Sequence, residues 1–180
     1  MKKFLALLVV PVLLVALVTP VLAQVSLPYN TDLIADGRDT ALDVGDLTVA
    51  ADGTVTFQID EAATDWRLEE THLYVGDTAP EKSAPGQFPY KNEELGGVPS
   101  DVHSVDLAAY DANGDGIVYV AAHAGLIREV QVGVDEISGE PIYGDETETA
   151  WAQGDEAIGK GKNWATCFSV LVEAPVEPAP

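Results

Sequence analysis

The stretch Leu47-Thr48-Val49-Ala50-Ala51-Asp52-Gly53-Thr54-Val55-Thr56-Phe57-Gln58-Ile59 decides the fold. On either side of Asp52-Gly53 apolar and polar residues alternate, and a β-strand sends successive side chains to opposite faces. An Asp-Gly pair between two such runs marks a hairpin, because both turn residues tolerate positive φ. A two-residue loop is expected there.

Working outward, 66–75 reads as a strand with Leu73 and Val75 on one face. From 76 to 100 the period is lost and Pro80, Pro85, Gly86, Pro89, Gly96, Gly97 and Pro99 appear, which predicts a long loop pinned to the body by Phe88 and Tyr90. Residues 102–107 form another short strand, and 117–124 form an apolar, central one. A second hairpin is expected from 127–134 and 141–150, closing through Ser138-Gly139, and 164–172 forms the last strand. Seven or eight short strands with no helical period predict an all-β chain. The expected architecture is a single antiparallel β-sandwich of immunoglobulin-like size over 24–172, with a β-barrel as the alternative.

The ends read differently. Lys2 and Lys3, the apolar run 4–18 and Val21-Leu22-Ala23 have the layout of a secretory signal peptide over 1–23. Residues 173–180 are rich in proline and glutamate and predict a disordered tail. The expected location is therefore extracellular or at the cell surface, with no stable membrane insertion after cleavage. Net charge is −21. Lys2 and Lys3 leave with the leader, so seven of the nine basic residues remain against 30 acidic ones, a net of −23. Such a surface repels nucleic acid and attracts cations. Cys167 is the sole cysteine, lies in an alternating strand pattern and has no basic neighbour, so a buried, unreactive thiol is expected.

Three groups of residues carry candidate chemistry. Asp111, Asn113 and Asp115, with Gly114 and Gly116, have the alternating oxygen spacing of a calcium loop. The twelfth place from Asp111, where a bidentate Glu closes a complete loop of that type, is Ala122, so calcium is the candidate cofactor against a plain Asx-rich turn. Glu70, His72 and Tyr74 share one strand face, and Tyr119, Ala121 and His123 share another. If those strands are neighbours, Glu70, His72 and His123 converge into a first-row metal set; otherwise the histidines order a polar patch. Trp66, Trp151 and Trp164 offer aromatic faces for stacking a sugar ring, or simply fill core. No nucleophile elbow, zinc-protease helix or phosphate loop is present, so no enzyme is expected.

The phrases Glu70-Thr71-His72-Leu73-Tyr74-Val75-Gly76, Pro85-Gly86-Gln87-Phe88-Pro89-Tyr90, Tyr119-Val120-Ala121-Ala122-His123-Ala124, Glu148-Thr149-Ala150-Trp151-Ala152-Gln153-Gly154 and Gly161-Lys162-Asn163-Trp164-Ala165 resemble, in order and spacing, a recurrent domain of secreted and surface proteins of bacteria and archaea. The resemblance covers 32–172. It implies an extracellular module without a settled activity. The Asp/Asn/Gly turn looks like an addition to the commoner pattern. Together these readings lead to a secreted, non-catalytic module that binds an extracellular glycan or a cell-envelope protein. A metal-dependent protein or hydrolase built on Glu70, His72 and His123 and a carbohydrate-binding module are the alternatives.

Overall fold

The computed structural model describes residues 25–35, 41–159 and 164–172. The expected leader and tail lie outside the described residues. Eleven strands follow one another: β1 (Val25–Ser26), β2 (Tyr29–Ala35), β3 (Leu42–Val49), β4 (Thr54–Ile59), β5 (Arg67–Gly76), β6 (Tyr90–Asn92), β7 (Ser100–Ser104), β8 (Ile117–Val134), β9 (Pro141–Ala152), β10 (Glu156–Ala157) and β11 (Thr166–Leu171). Among the described residues the helical structure is two single 3-10 turns, Pro85–Gln87 and Leu107–Tyr110. Among the described residues no helix is long and apolar enough to cross a membrane.

The chain is all-β, as expected, and the barrel is the form it takes. Every ladder is antiparallel except β1 on β11. The sheet runs β1-β11-β8-β9-β2-β3-β4-β7, while β5 lies along the other side of β8 and carries β6. One strand makes this curvature possible. The runs 117–124 and 127–134, expected as separate strands, are the single 18-residue β8, which is long enough to serve β11, β5 and β9 in turn. The sheet then curls until β7 comes beside β5 and β6. There the closure is made by a few backbone bonds, Leu68 N to Val98 O at 2.8 Å and Val98 N to Leu68 O at 3.1 Å, and by side chains.

That side-chain seam is polar and buried. Asp101 accepts hydrogen bonds from the Thr71 hydroxyl and from Asn92 Nδ2 (3.0 and 2.9 Å), and His103 Nε2 lies 2.9 Å from Thr71 Oγ1. Because Thr71 donates to Asp101, His103 Nε2–H donates to Thr71. Burial pushes the His103 imidazole below its ordinary pKa even though Asp101 opposes the shift. Tyr90 Oη and Tyr110 Oη meet at 2.9 Å just beyond. That hydrogen bond, followed by burial, pushes the Tyr90 phenol up to about 12.

The expected hairpin joins β3 and β4, but its loop has three residues, Ala51-Asp52-Gly53. Ala50 N donates to Thr54 O at 2.8 Å and Gly53 N to Ala50 O at 3.0 Å. Gly53 takes φ +82°, and a Cβ there would stand 1.8 Å from the carbonyl oxygen of Val105. The extra residue places glycine, alone of the three, in left-handed geometry. The period-2 pattern otherwise holds. Leu47, Val49, Val55 and Phe57 are fully buried inside the barrel, with Leu73, Val118, Val120 and Ala122. A smaller cluster forms outside the wall, where Phe88, Ile158, Ala165 and Cys167 pack on Ala121 and Trp151. Phe88 thereby pins the long loop, as expected, with its ring 5.7 Å from Tyr74 and 6.1 Å from Trp151. Cys167 is buried, and burial pushes its thiol up to about 12.

Candidate metal centre

A β-bulge sets the site. Leu68 and Glu70 are two apart and would ordinarily share a face, but the register shifts between them, Leu68 pairing with Leu126 and Glu70 with Gly125. Leu68 stays in the core, while Glu70 joins His72 and Tyr74 on the outer wall. His72 on β5 pairs directly with His123 on β8, and His123 with Trp151 on β9. Directly opposed residues on neighbouring strands project to the same side, so the condition set by the sequence, adjacency of the two strands, is met.

The two imidazoles meet through Nδ1, 3.3 Å apart. His72 Nδ1 is 3.9 Å from Glu70 Oε1, and His72 Nε2 is 3.7 Å from Glu93 Oε1. Trp151 closes the far side, its ring 5.1 Å from His123 and edge-on. Both histidines are nearly sealed, at 3% and 6% exposure, whereas the Glu70 side chain is 40% exposed. Burial, and then the neighbouring His72, push the His123 imidazole down to about 4. In this hydrogen bond one Nδ1 carries the shared hydrogen and the other accepts it.

Among the described residues this is the one group of three whose ligand atoms all lie within 4.8 Å of one another. The chemistry of the donor set suits a borderline cation. Two nitrogens held at about 2.0–2.1 Å by a tetrahedral ion stand about 3.3 Å apart, which is the separation of the two Nδ1 atoms. Glu70 need move only slightly to supply the third bond. Glu93 behind His72 Nε2 has the position of an outer carboxylate that orients a ligating imidazole. Gly125 makes room, since a Cβ there would stand 2.5 Å from Glu70 Cγ. Beside Glu70 a groove of about 380 Å³ is lined by Glu69, Glu70, Thr147, Glu148 and Thr149, an acidic approach for a cation.

Apart from Trp151, the other candidate residues stand away from this cluster. In the Asp111 loop the side chains serve the loop's own backbone. Gly116 N donates to Asp111 Oδ2 (3.0 Å), Asp115 N to Asn113 Oδ1 (2.8 Å) and Ile117 N to Asp115 Oδ1 (2.9 Å). Asp77 Oδ1 also reaches Asn113 N at 3.3 Å. Asp111 Oδ1 is buried with no hydrogen-bond partner, and Ala122, at the twelfth place, is sealed inside the barrel. The three tryptophans are not brought together. Trp66 is in the barrel core with the Arg128 guanidinium 4.3 Å over its ring, so its face is taken. Trp151 is packed between Phe88 and His123. It meets the half-buried Trp164 at a shallow hollow of about 200 Å³ with Ile34, Ala41, Gln153 and Thr166.

Sequence reasoning missed two parts. Glu93 sits in the stretch expected to be loop and reaches His72 because Lys91 on β6 pairs with His72. The Thr71–Asp101–His103 seam was detectable in part, since Asp101 and His103 are two apart and share a face. Fold and site together define an all-β barrel with a His/His/Glu cluster on its outer wall. Comparison with protein-family models, with curated proteins and with solved structures finds no match.

Proposed function

We propose that this chain is an exported, non-catalytic binding module, and that its outer barrel wall holds one divalent first-row metal ion, zinc or a neighbour in the series, through His72 Nδ1, His123 Nδ1 and Glu70. The observation that carries the reading is the 3.3 Å Nδ1–Nδ1 separation with a carboxylate oxygen 3.9 Å away. The leader pattern of 1–23, the strongly acidic surface and the resemblance to secreted and surface domains support the extracellular setting. Two imidazoles and one carboxylate favour zinc, nickel or copper over calcium, which takes oxygen ligands. Zinc titration of the apo protein by calorimetry tests this. One equivalent should bind, and His72→Gln and His123→Gln should each abolish binding while leaving the β-sheet circular dichroism intact. Equal binding by wild type and both variants would remove the reading.

A second cation reading rests on the orphaned Asp111 Oδ1. Calcium held by Asp111, Asn113, Asp115 and Asp77 would satisfy it. A rise in melting temperature at millimolar calcium, absent in Asp111→Asn, is then expected, because a ligand of the native state alone adds stability by mass action.

A further inference from the structure

Beyond the metal centre, β8 and β9 continue past the barrel. β5 leaves β8 after the Arg67–Ile127 pair, and among the described residues β2 meets β9 from Ala150 to Ala152. From 128 to 149 the two strands therefore form a ribbon whose outer edges are unpaired among the described residues. At about 3.3 Å per residue it projects roughly 20 Å. Isolated two-stranded ribbons are marginal in water, and free edges are sites of strand addition.

The ribbon is also where the apolar surface lies. Of the seven large hydrophobic side chains exposed among the described residues, five are here: Val132 at 62%, Val134 at 53%, Ile137 at 98%, Ile142 at 47% and Tyr143 at 57%. Val132 and Ile142 share one face, because Ile142 pairs with Gly133 and Val132 lies over Gly144. Acidic residues lie on the ribbon's opposite face, where Asp145 of β9 stands across from Glu129 of β8, and at its tip, where Glu136 and Glu140 lie between the strands. Arg128 is engaged by Glu146 at 2.8 Å and Asp65 at 3.2 Å, and no cation among the described residues is paired with Glu129, Glu136, Glu140 or Asp145.

We propose that this ribbon is a docking arm that takes an extended, cationic polypeptide strand of a partner protein. The strand adds to the free edge of β9 and lays alternate apolar side chains on Val132 and Ile142, with its intervening lysines or arginines on the opposite face against Asp145 and Glu129. Main-chain bonds give such an addition its affinity and alternate side chains its specificity. Charge complementarity selects the occupant: a second copy brings like charge to like, and anionic lipid is repelled by the same carboxylates.

The test uses the full chain and a short synthetic peptide alternating lysine and valine, with binding read by fluorescence anisotropy. Expected is saturable binding that weakens about tenfold or more in Val132→Thr/Ile142→Thr, a charge-neutral change outside the barrel. The same peptide N-methylated at alternate residues should fail to bind, because it cannot complete the strand ladder. Three results would overturn the proposal: no binding of the alternating peptide, equal binding by the double variant, or self-association of the free chain that the double variant removes. The metal centre is untouched by these substitutions, so the outcome is independent of the zinc titration.

Discussion

His123 provides the sharpest perturbation, because the fold holds it neutral against its ordinary tendency. In the unfolded chain it titrates near 6.5, and in the native wall burial and the facing His72 depress it to about 4. Between those values the unfolded state takes up a proton that the native state refuses, so stability is complete above about pH 6.5 and falls as pH drops towards 4. Lowering a native-state pKa by one is worth about 1.4 kcal/mol, so the loss approaches about 3 kcal/mol, a large share of a typical domain's stability. The facing groups are His72, Glu70 through its 3.9 Å approach to His72, and Trp151. Urea unfolding followed by tryptophan fluorescence at several pH values from 7.5 to 4, on wild type and His123→Gln, isolates the effect. Carboxylates titrate in both proteins, so their contribution cancels in the difference. Wild type should lose about 3 kcal/mol more than the variant across the window. His72→Gln should flatten the slope less, because burial outranks His72 among the causes. Parallel curves for wild type and His123→Gln would show that His123 is not desolvated and refute the reasoning.

Gly125→Ala should weaken zinc binding roughly 10- to 100-fold with little change in apo melting temperature, since its Cβ would displace the flexible Glu70 side chain and no backbone; calorimetry and a thermal melt read both. Thr71→Val removes the hydroxyl between Asp101 and His103 at the barrel seam and should cost about 1–3 kcal/mol in urea unfolding, with faster amide exchange in β5 and β7. Phe57→Ala empties a fully buried ring site in β4 and should cost about 3–5 kcal/mol by the same measurement. Gly45→Ala drives a Cβ to 2.0 Å from the carbonyl oxygen of Gln58; because that atom is backbone and cannot swing away, a drop of several kcal/mol or failure to fold is expected.

Local alternation shows in the chain itself, and it correctly assigned Leu47 to Ile59 as a hairpin, Leu73 and Val75 to one face, and Glu70, His72 and Tyr74 to one face. It also gave His123 a face, though not a neighbour. It did not find β2, whose Asn30-Thr31-Asp32 run carries no apolar alternation until Leu33, nor the short β1, β6 and β10, which are strands only because a long neighbour pairs with them. The break expected near Gly125 was misleading. Glycine there is a gap left for a carboxylate, and β8 runs straight through.

Composition and period, which act within a few residues, determined that this is an acidic β-protein with its apolar side chains on alternate positions. Tertiary structure alone decided that the sheet curls into a barrel, that a bulge turns Glu70 outward beside His72, and that β5 lies against β8 so that two imidazoles face each other. Those outcomes depend on register between strands 30 to 60 residues apart, and register is fixed by which buried faces fit together once the whole sheet is assembled.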